Sequence, residues 1–457
     1  MISSRLVGRP ALHIVIALVA ATLIGCAPAA PLPSTPHPII IVDVDTLRAD
    51  HLGCYGYDRD TSPNIDAFAA QSLLFERTFS QAPNTPPSQA SILSGLYPSS
   101  HGMVYDEDRI SGEVVMLAEA LSARGFRTAG FHDGGYLREV FGFGQGFELY
   151  DDNKGGGLEV IGPKAIDWLN EHADEDFLLF IHTYDTHTPY APKPPYDSMF
   201  MEGVPDPTPG FEPTTDRMEQ IRLSKYTDTL LTLPDNDLAY AMALYDGEIR
   251  AVDTWFGEFW RVVRELGLDR RATVVFISDH GEEFQEHGSV LHEKLYATVT
   301  HIPFMIRLPG GRLARRIPEI VESVDLMPTL LELTGTSIPS AVQGASLLQL
   351  MLGQVSDLDH VAFSESPFFG HRRAVAFGDH HLLYTKKNNQ TELYNLRTDP
   401  LEQDDLSADD AGVESVMTSY LKSWEARVAN QKPDRSVPET PLDDETIDQL
   451  RQLGYIQ

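Results

Sequence analysis

Positive charge is scarce in this sequence: 35 Lys and Arg stand against 67 Asp and Glu in 457 residues, a formal net charge of −32. So acidic a surface argues against nucleic acid or a bare polyanion as the main partner, since those are held by basic patches that release counterions. The charge of a local site is left open. Cysteine is almost missing too. With only Cys26 and Cys54 present, no disulfide framework is available, and a chain of this length can bury enough core to do without one. Cys54, inside HLGCYGY, reads as a small buried residue. No internal repeat is visible, which excludes a repeat architecture. Beyond the N-terminal end there is no stretch apolar enough to cross a bilayer.

What is present starts with MISSRLVGRPALHIVIALVAATLIGC, residues 1–26, where Arg5 and Arg9 precede an apolar run over 11–25. That is the layout of an export signal. The run ends in LIGC, which resembles the lipobox of bacterial lipoproteins, with Cys26 as the lipidated mature N-terminus. A plain secretory peptide cleaved near APAA is the competing reading. Both place the protein outside the cytoplasm; the first expects it in the bacterial cell envelope, touching membrane only through its N-terminal lipid anchor. A Pro-rich linker over 27–37 then leads to a large domain over 38–354. A small α+β subdomain over 355–430 follows, and residues 431–457 read as a linker and one short C-terminal helix.

The large domain opens with IIIVDVD (39–45), a β-branched run of the kind expected of a strand buried on both faces. FLLFIHTYD (177–185) and ATVVFISDH (272–280) repeat the pattern, with helical segments such as SGEVVMLAEALSARG and YDGEIRAVDTWFGEFWRVVRELG between them. Strands alternating with helices predict an α/β fold with a mostly parallel central sheet. Such sheets place their sites beyond the carboxyl ends of the strands, so Asp45, Asp185, Asp279 and His280 are expected to converge. Residues 194–236, rich in Pro, Asp and Thr, read as an irregular insertion near that rim. RRAVAFGD, HHLLYTKK and TELYNL read as hairpin strands of a small antiparallel sheet.

One more segment carries chemistry. In APNTPPSQASILSGLYP (82–98), Pro86 and Pro87 suit the first positions of a helix, and Ile92, Leu93 and Leu96 recur at helical spacing. Thr85 thus stands at a helix N-terminus, where free N–H groups and the macrodipole favour an oxyanion. It reads either as a nucleophile or as the cap of the helix.

These residues occur in a longer ordered series: VDTLRADHLGCYGYDRDTSPNIDAFA, QASILSGLYPSSHG, LAEALSARGFRTAGF, YDGEIRAVD, SDHGEEFQEHG, IPFMIRLPGG, VDLMPTLLELTG and TELYNLRTDPLEQDDL. The series resembles the sulfatases of the alkaline phosphatase superfamily. That resemblance implies an alkaline-phosphatase-like sandwich with a small C-terminal antiparallel sheet domain, and hydrolysis of sulfuric esters at a metal site. In the family a Cys or Ser begins the nucleophile motif and becomes formylglycine. Here the motif reads Thr85, Pro86, Pro87, Ser88, Gln89. Threonine's Cβ methyl would leave a ketone rather than that aldehyde, so Thr85 is expected to attack as an unmodified hydroxyl activated by a metal. This resembles the nucleotide pyrophosphatases and phosphoethanolamine transferases of the same superfamily. Gln89 stands where the family carries an arginine.

By the same resemblance Asp45, Asp279 and His280, with Thr85, form the metal site. The family's calcium set is all oxygen; an imidazole moves the preference toward zinc or manganese, with calcium still open. His292 stands where arylsulfatases carry a substrate-binding lysine. Asp185, His187 and His292 are either ligands of a second metal or, for the two histidines, metal-free donors to the ester; Gln89 lies with this group as a substrate contact. His182 and His287 are nearby, and His132 lies out of register with the family's GKWH string. The leading reading is therefore a metal-dependent hydrolase of sulfuric or related phosphate esters acting through a covalent Thr85 intermediate, on a small-molecule, glycan or lipid ester. A phosphodiesterase or phosphonate monoester hydrolase, a phosphoethanolamine-type transferase and a non-catalytic binding protein are the alternatives.

Overall fold

A computed structural model of the chain describes residues 35–105, 108–152, 155–226, 230–355, 361–429 and 442–453. The expected signal over 1–26 with Cys26, residues 27–34 of the 27–37 linker, and residues 431–441 and 454–457 of the 431–457 segment lie outside the described residues. No described helix is long and apolar enough to cross a membrane. The strands are β1 (Ile39–Val44), β2 (Leu73–Phe79), β3 (Arg127–His132), β4 (Leu149–Asp152), β5 (Phe177–Thr183), β6 (Thr273–Ile277), β7 (Glu283–Phe284), β8 (Val290–Leu291), β9 (His301–Arg307), β10 (Arg315–Glu322), β11 (Ala362–Ser366), β12 (Arg372–Phe377), β13 (His380–Thr385) and β14 (Gln390–Asn395).

Eight of them form the central sheet, in the order β10-β2-β9-β6-β1-β5-β3-β4. β9 runs against both its neighbours, and the other pairs are parallel. β1 lies between β6 and β5 with all six residues buried, as its continuous apolar run predicts. Its side chains still alternate in what they meet. Ile40, Val42 and Val44 join the core shared with the helices Gly157–His172 and Asp235–Glu265. Asp43 and Asp45 point to the other face, where the Thr85–Ser94 helix packs.

The C-terminal sheet is antiparallel in the order β11-β12-β13-β14 and is covered by the helix Ala411–Ala429, whose Met417, Leu421 and Trp424 meet Val375, Leu382 and Leu393. β11, absent from the sequence reading, ties this sheet to the segment ahead of Thr85: Glu365 N–H donates to Gln81 O at 2.9 Å, and Ser364 Oγ donates to Ser80 O. The 194–236 stretch is less irregular than expected, since it contains the helix Thr215–Ser224, capped by Thr214 Oγ1 accepting from Arg217 N–H.

Candidate active site

Segment 80–84 turns from β2 into the Thr85–Ser94 helix, and all ten helical residues are buried. Asn84 takes the N-cap position, and Thr85 is the first helical residue. Pro86 and Pro87 follow and bring no N–H, so the helix contributes its macrodipole here rather than the row of amide donors expected from sequence. The Thr85 hydroxyl donates to Asp45 Oδ1 at 2.9 Å and lies 3.3 Å from His280 Nε2. It faces the strand ends; capping does not account for it. Ser88 Oγ donates to Asp279 O at 2.6 Å and so pins the helix to the β6 end of the site.

Asp45 is held by its own N–H donating to Thr183 O at 3.0 Å. The next residue, Thr46, has φ 52, a left-handed conformation that is costly for a β-branched side chain. Tyr245 locks the turn, its hydroxyl donating to Thr46 O at 2.7 Å. After β6, His280 Nδ1 is 3.0 Å from Gly281 O, which makes Nδ1 the N–H and leaves the Nε2 lone pair for the site. A Cβ on Gly281 would come within 2.3 Å of Thr298 O, so only glycine lets this loop pack so closely.

Asp45, Asp279 and His280, all buried, each offer one ligand atom, and these atoms lie within 4.8 Å of one another. Asp45 Oδ2 and Asp279 Oδ2 are buried without a hydrogen-bond partner. Burial and the Asp279 charge push the Asp45 carboxyl well above the usual aspartate range. Adjacent buried carboxylates with open lone pairs and an imidazole nitrogen facing them are what a divalent cation would satisfy; the donor set fits one. Among the described residues this is the one such cluster.

The second group comes together only in part. His292 stands next to His280 with ring centroids 4.5 Å apart, and His187 lies 5.1 Å from His292. His187 Nδ1 is 2.8 Å from Thr188 O. Burial, with the neighbouring His292 adding to it, depresses His187 to about 3, and burial also depresses His292. Asp185 is a correction to the second-metal set. Its Oδ2 accepts Leu158 N–H at 2.9 Å, and its Oδ1 would lie 1.9 Å from a Cβ on Gly157, so it serves the start of the Gly157–His172 helix. Gln89 Nε2 donates to Asp43 Oδ2 at 2.9 Å, and its Oε1 is buried without a partner. His182 lies beneath the site, fully buried, its Nε2 3.9 Å from Asp45 Oδ1. His287 stacks on Tyr296 at 3.4 Å and bonds to Leu401 O, a structural role. His132, on β3, lies 3.7 Å from Asp152 Oδ1. The sequence reading missed Asp43 and Glu282. An acid inside an otherwise apolar strand was the available signal for the first; the second had none beyond its place in SDHGEE.

Residues 37–336 match the family model described as Sulfatase, and residues 285–428 match the one described as N-sulphoglucosamine sulphohydrolase, C-terminal. The chain belongs to the sulfatase family. It is a sulfuric ester hydrolase. This sulfatase is 25% identical over 434 residues to an arylsulfatase of Clostridium perfringens, covering 80% of this chain and 89% of that one. Its fold matches a solved structure described in complex with its substrate D-glucosamine-2-N,6-O-disulfate, with TM-score 0.73, 19% identity and coverage of 88% and 100% of the two chains. A phosphonate monoester hydrolase of Agrobacterium radiobacter matches with TM-score 0.70, 19% identity and coverage of 89% and 100%. In this sulfatase the Thr85 hydroxyl lies beside Asp45 and His280, and Gln89 donates to Asp43.

Proposed function

We propose that this sulfatase cleaves the sulfate ester of a glycan, lipid or other small molecule through a covalent intermediate on Thr85, with Asp45, Asp279 and His280 holding zinc or manganese. The observation that carries the reading is the Thr85 hydroxyl, 2.9 Å from Asp45 Oδ1 and 3.3 Å from His280 Nε2. The bound cation would lower the pKa of the hydroxyl and screen the approaching anionic ester. Thr85 Oγ attacks sulfur while its proton leaves along the hydrogen bond to Asp45. The S–O ester bond breaks, and the departing oxygen takes a proton from the His187 and His292 pair. Burial holds both imidazoles below their ordinary range, and the negative charge of a bound ester favours their charged form. Water then attacks sulfur, the S–Oγ bond breaks and Thr85 regains its proton. The dipole of the Thr85–Ser94 helix supports the anionic centre throughout.

Hydrolysis of a phosphodiester or phosphonate is the second reading, favoured by the imidazole in the metal set and by the hydroxyl nucleophile. Parallel assays on nitrophenyl sulfate, nitrophenyl phosphate and bis-nitrophenyl phosphate, with zinc, manganese or calcium supplied, separate the readings. Sulfate preference supports the first, diester preference the second, and turnover of none overturns both. We also propose anchoring of the exported protein through Cys26, supported by LIGC and the preceding apolar run. If that is right, Cys26→Ser moves the protein from the membrane fraction to the soluble one; an unchanged distribution refutes it.

A further inference from the structure

β7 and β8 are each two residues long and form an antiparallel hairpin in which Glu283 pairs with Leu291 and Phe284 with Val290. One step toward its open end, the next residues on the two arms are Glu282 and His292. Their side chains meet: His292 Nδ1 is 3.3 Å from Glu282 Oε1. The other oxygen, Glu282 Oε2, accepts the Tyr190 hydroxyl at 3.0 Å. Glu282 is fully buried. Salt bridges and hydrogen bonds secure the hairpin from outside the site. Arg48 donates to the Glu286 carboxylate at 2.5 Å and to Glu282 O at 3.1 Å, and Lys294 Nζ donates to His287 O at 2.6 Å.

We propose that Glu282 is a positioning residue for His292. Resting on the reading above, the assignment gives the hairpin a purpose: to hold a carboxylate against Nδ1 so that the ring, carrying both protons once the anionic ester is bound, keeps Nδ1–H on Glu282 and presents Nε2–H to the departing oxygen. In the cleavage step the S–O bond breaks and its electron pair stays on the leaving oxygen. The Nε2–H bond then breaks, its proton joins that oxygen, and the neutral ring keeps its Nδ1–H on Glu282. Attack of water in the second half returns the proton to the ring. Tyr190 fixes the carboxylate so that it cannot turn away from the imidazole.

Such help matters in proportion to how poor the leaving group is. Nitrophenolate departs unaided, whereas a sugar alkoxide needs its proton. The test therefore compares kcat/KM on nitrophenyl sulfate and on glucose 6-sulfate for wild type, Glu282→Ala, Glu282→Gln and Tyr190→Phe. Glu282→Ala is expected to lower the sugar ester by roughly tenfold to a hundredfold while the aryl ester falls less than about threefold. Tyr190→Phe should follow in the same direction. The selective loss should vanish in a His292→Ala background, because Glu282 acts through that ring. Equal losses on the two esters, no loss, or a selective loss that persists without His292 would overturn the assignment. If Glu282→Ala fails to fold, the nearly isosteric Glu282→Gln carries the same comparison. The ratio between two esters is defined for any enzyme that turns over, so it can fail without touching the role of Thr85, and Thr85→Ala can fail without touching the ratio.

Discussion

Thr85→Ala is the sharpest perturbation of the proposed mechanism. It removes a hydroxyl that is fully buried and donates to Asp45 Oδ1 at 2.9 Å. Losing the attacking atom should cost about 10⁴ in kcat, or ~5.4 kcal/mol at 1.36 kcal/mol per tenfold. The fold should suffer far less. One buried hydrogen bond is lost, worth ~1 kcal/mol net and up to ~3 kcal/mol if the acceptor stays unsatisfied, and one methyl adds ~1 kcal/mol. The melting temperature should fall by a few degrees. Thr85→Ser keeps the hydroxyl and should stay within about tenfold of wild type, which separates loss of the atom from loss of shape. The assay is single-turnover release of nitrophenol beside thermal melting, with intact mass to detect a sulfuryl adduct on the wild-type chain. A capping threonine would give the opposite pattern, ~1 kcal/mol of stability and an unchanged rate. Turnover by Thr85→Ala within tenfold of wild type would refute the nucleophile.

The other predictions concern the buried charges. Stripping divalent cations with a chelator should abolish turnover and lower the melting temperature, since an ion at 100 times its Kd stabilises by ~2.7 kcal/mol; equal stability before and after would refute a structural metal at Asp45, Asp279 and His280. Gln89→Leu should destabilise by ~1–3 kcal/mol, because Asp43 Oδ2 loses its partner at 2.9 Å inside the protein; an unchanged denaturation midpoint would argue against that bond. Burial first, then the charge of Asp325, raises Glu322 above its ordinary 4.5. The folded state thus holds a proton that the unfolded state has lost, so stability from this group is full below about pH 4.5 and falls as pH rises through neutrality. Glu322→Gln should flatten the decline in melting temperature between about pH 5 and 9; parallel wild-type and variant curves would count against it.

The large elements were legible because periodicity reports burial. IIIVDVD, FLLFIHTYD and ATVVFISDH became β1, β5 and β6, side by side in the sheet, and the acids at their ends followed from that. Asp45, Thr85, Asp279 and His280, which the structure brings together, could be expected to meet because each sits at the end of an element with a clear pattern. Asp185 was misread for the same reason. It too follows a strand, but whether such an acid serves the pocket or a neighbouring helix N-terminus depends on where Leu158 falls, a contact 27 residues away in sequence. The bond from Gln89 to Asp43 was not foreseen, because Asp43 is a charge inside an apolar run that periodicity alone treats as an exception. Glu282 depends on the register of a hairpin whose strands are two residues each, too short to show any period. Much of DTLRADHLGCYGYDRD serves architecture rather than the pocket: His51, Tyr57 and Arg59 all converge on Asp246 of the Asp235–Glu265 helix.

The two halves of the site hang from parts of very different permanence. Asp45 follows a strand buried along its whole length and bonded on both edges, whose amides should be among the last to exchange with deuterated solvent. His187 sits on a loop, and His292 ends a hairpin held by a handful of contacts, so their surroundings should exchange earlier. In mild denaturant the molecule would then lose the His187 and His292 side of the site while the Asp45 side still stands. Exchange measured peptide by peptide would show the order, with β1 protected after 283–292 has opened. The opposite order would make the hairpin as durable as the sheet.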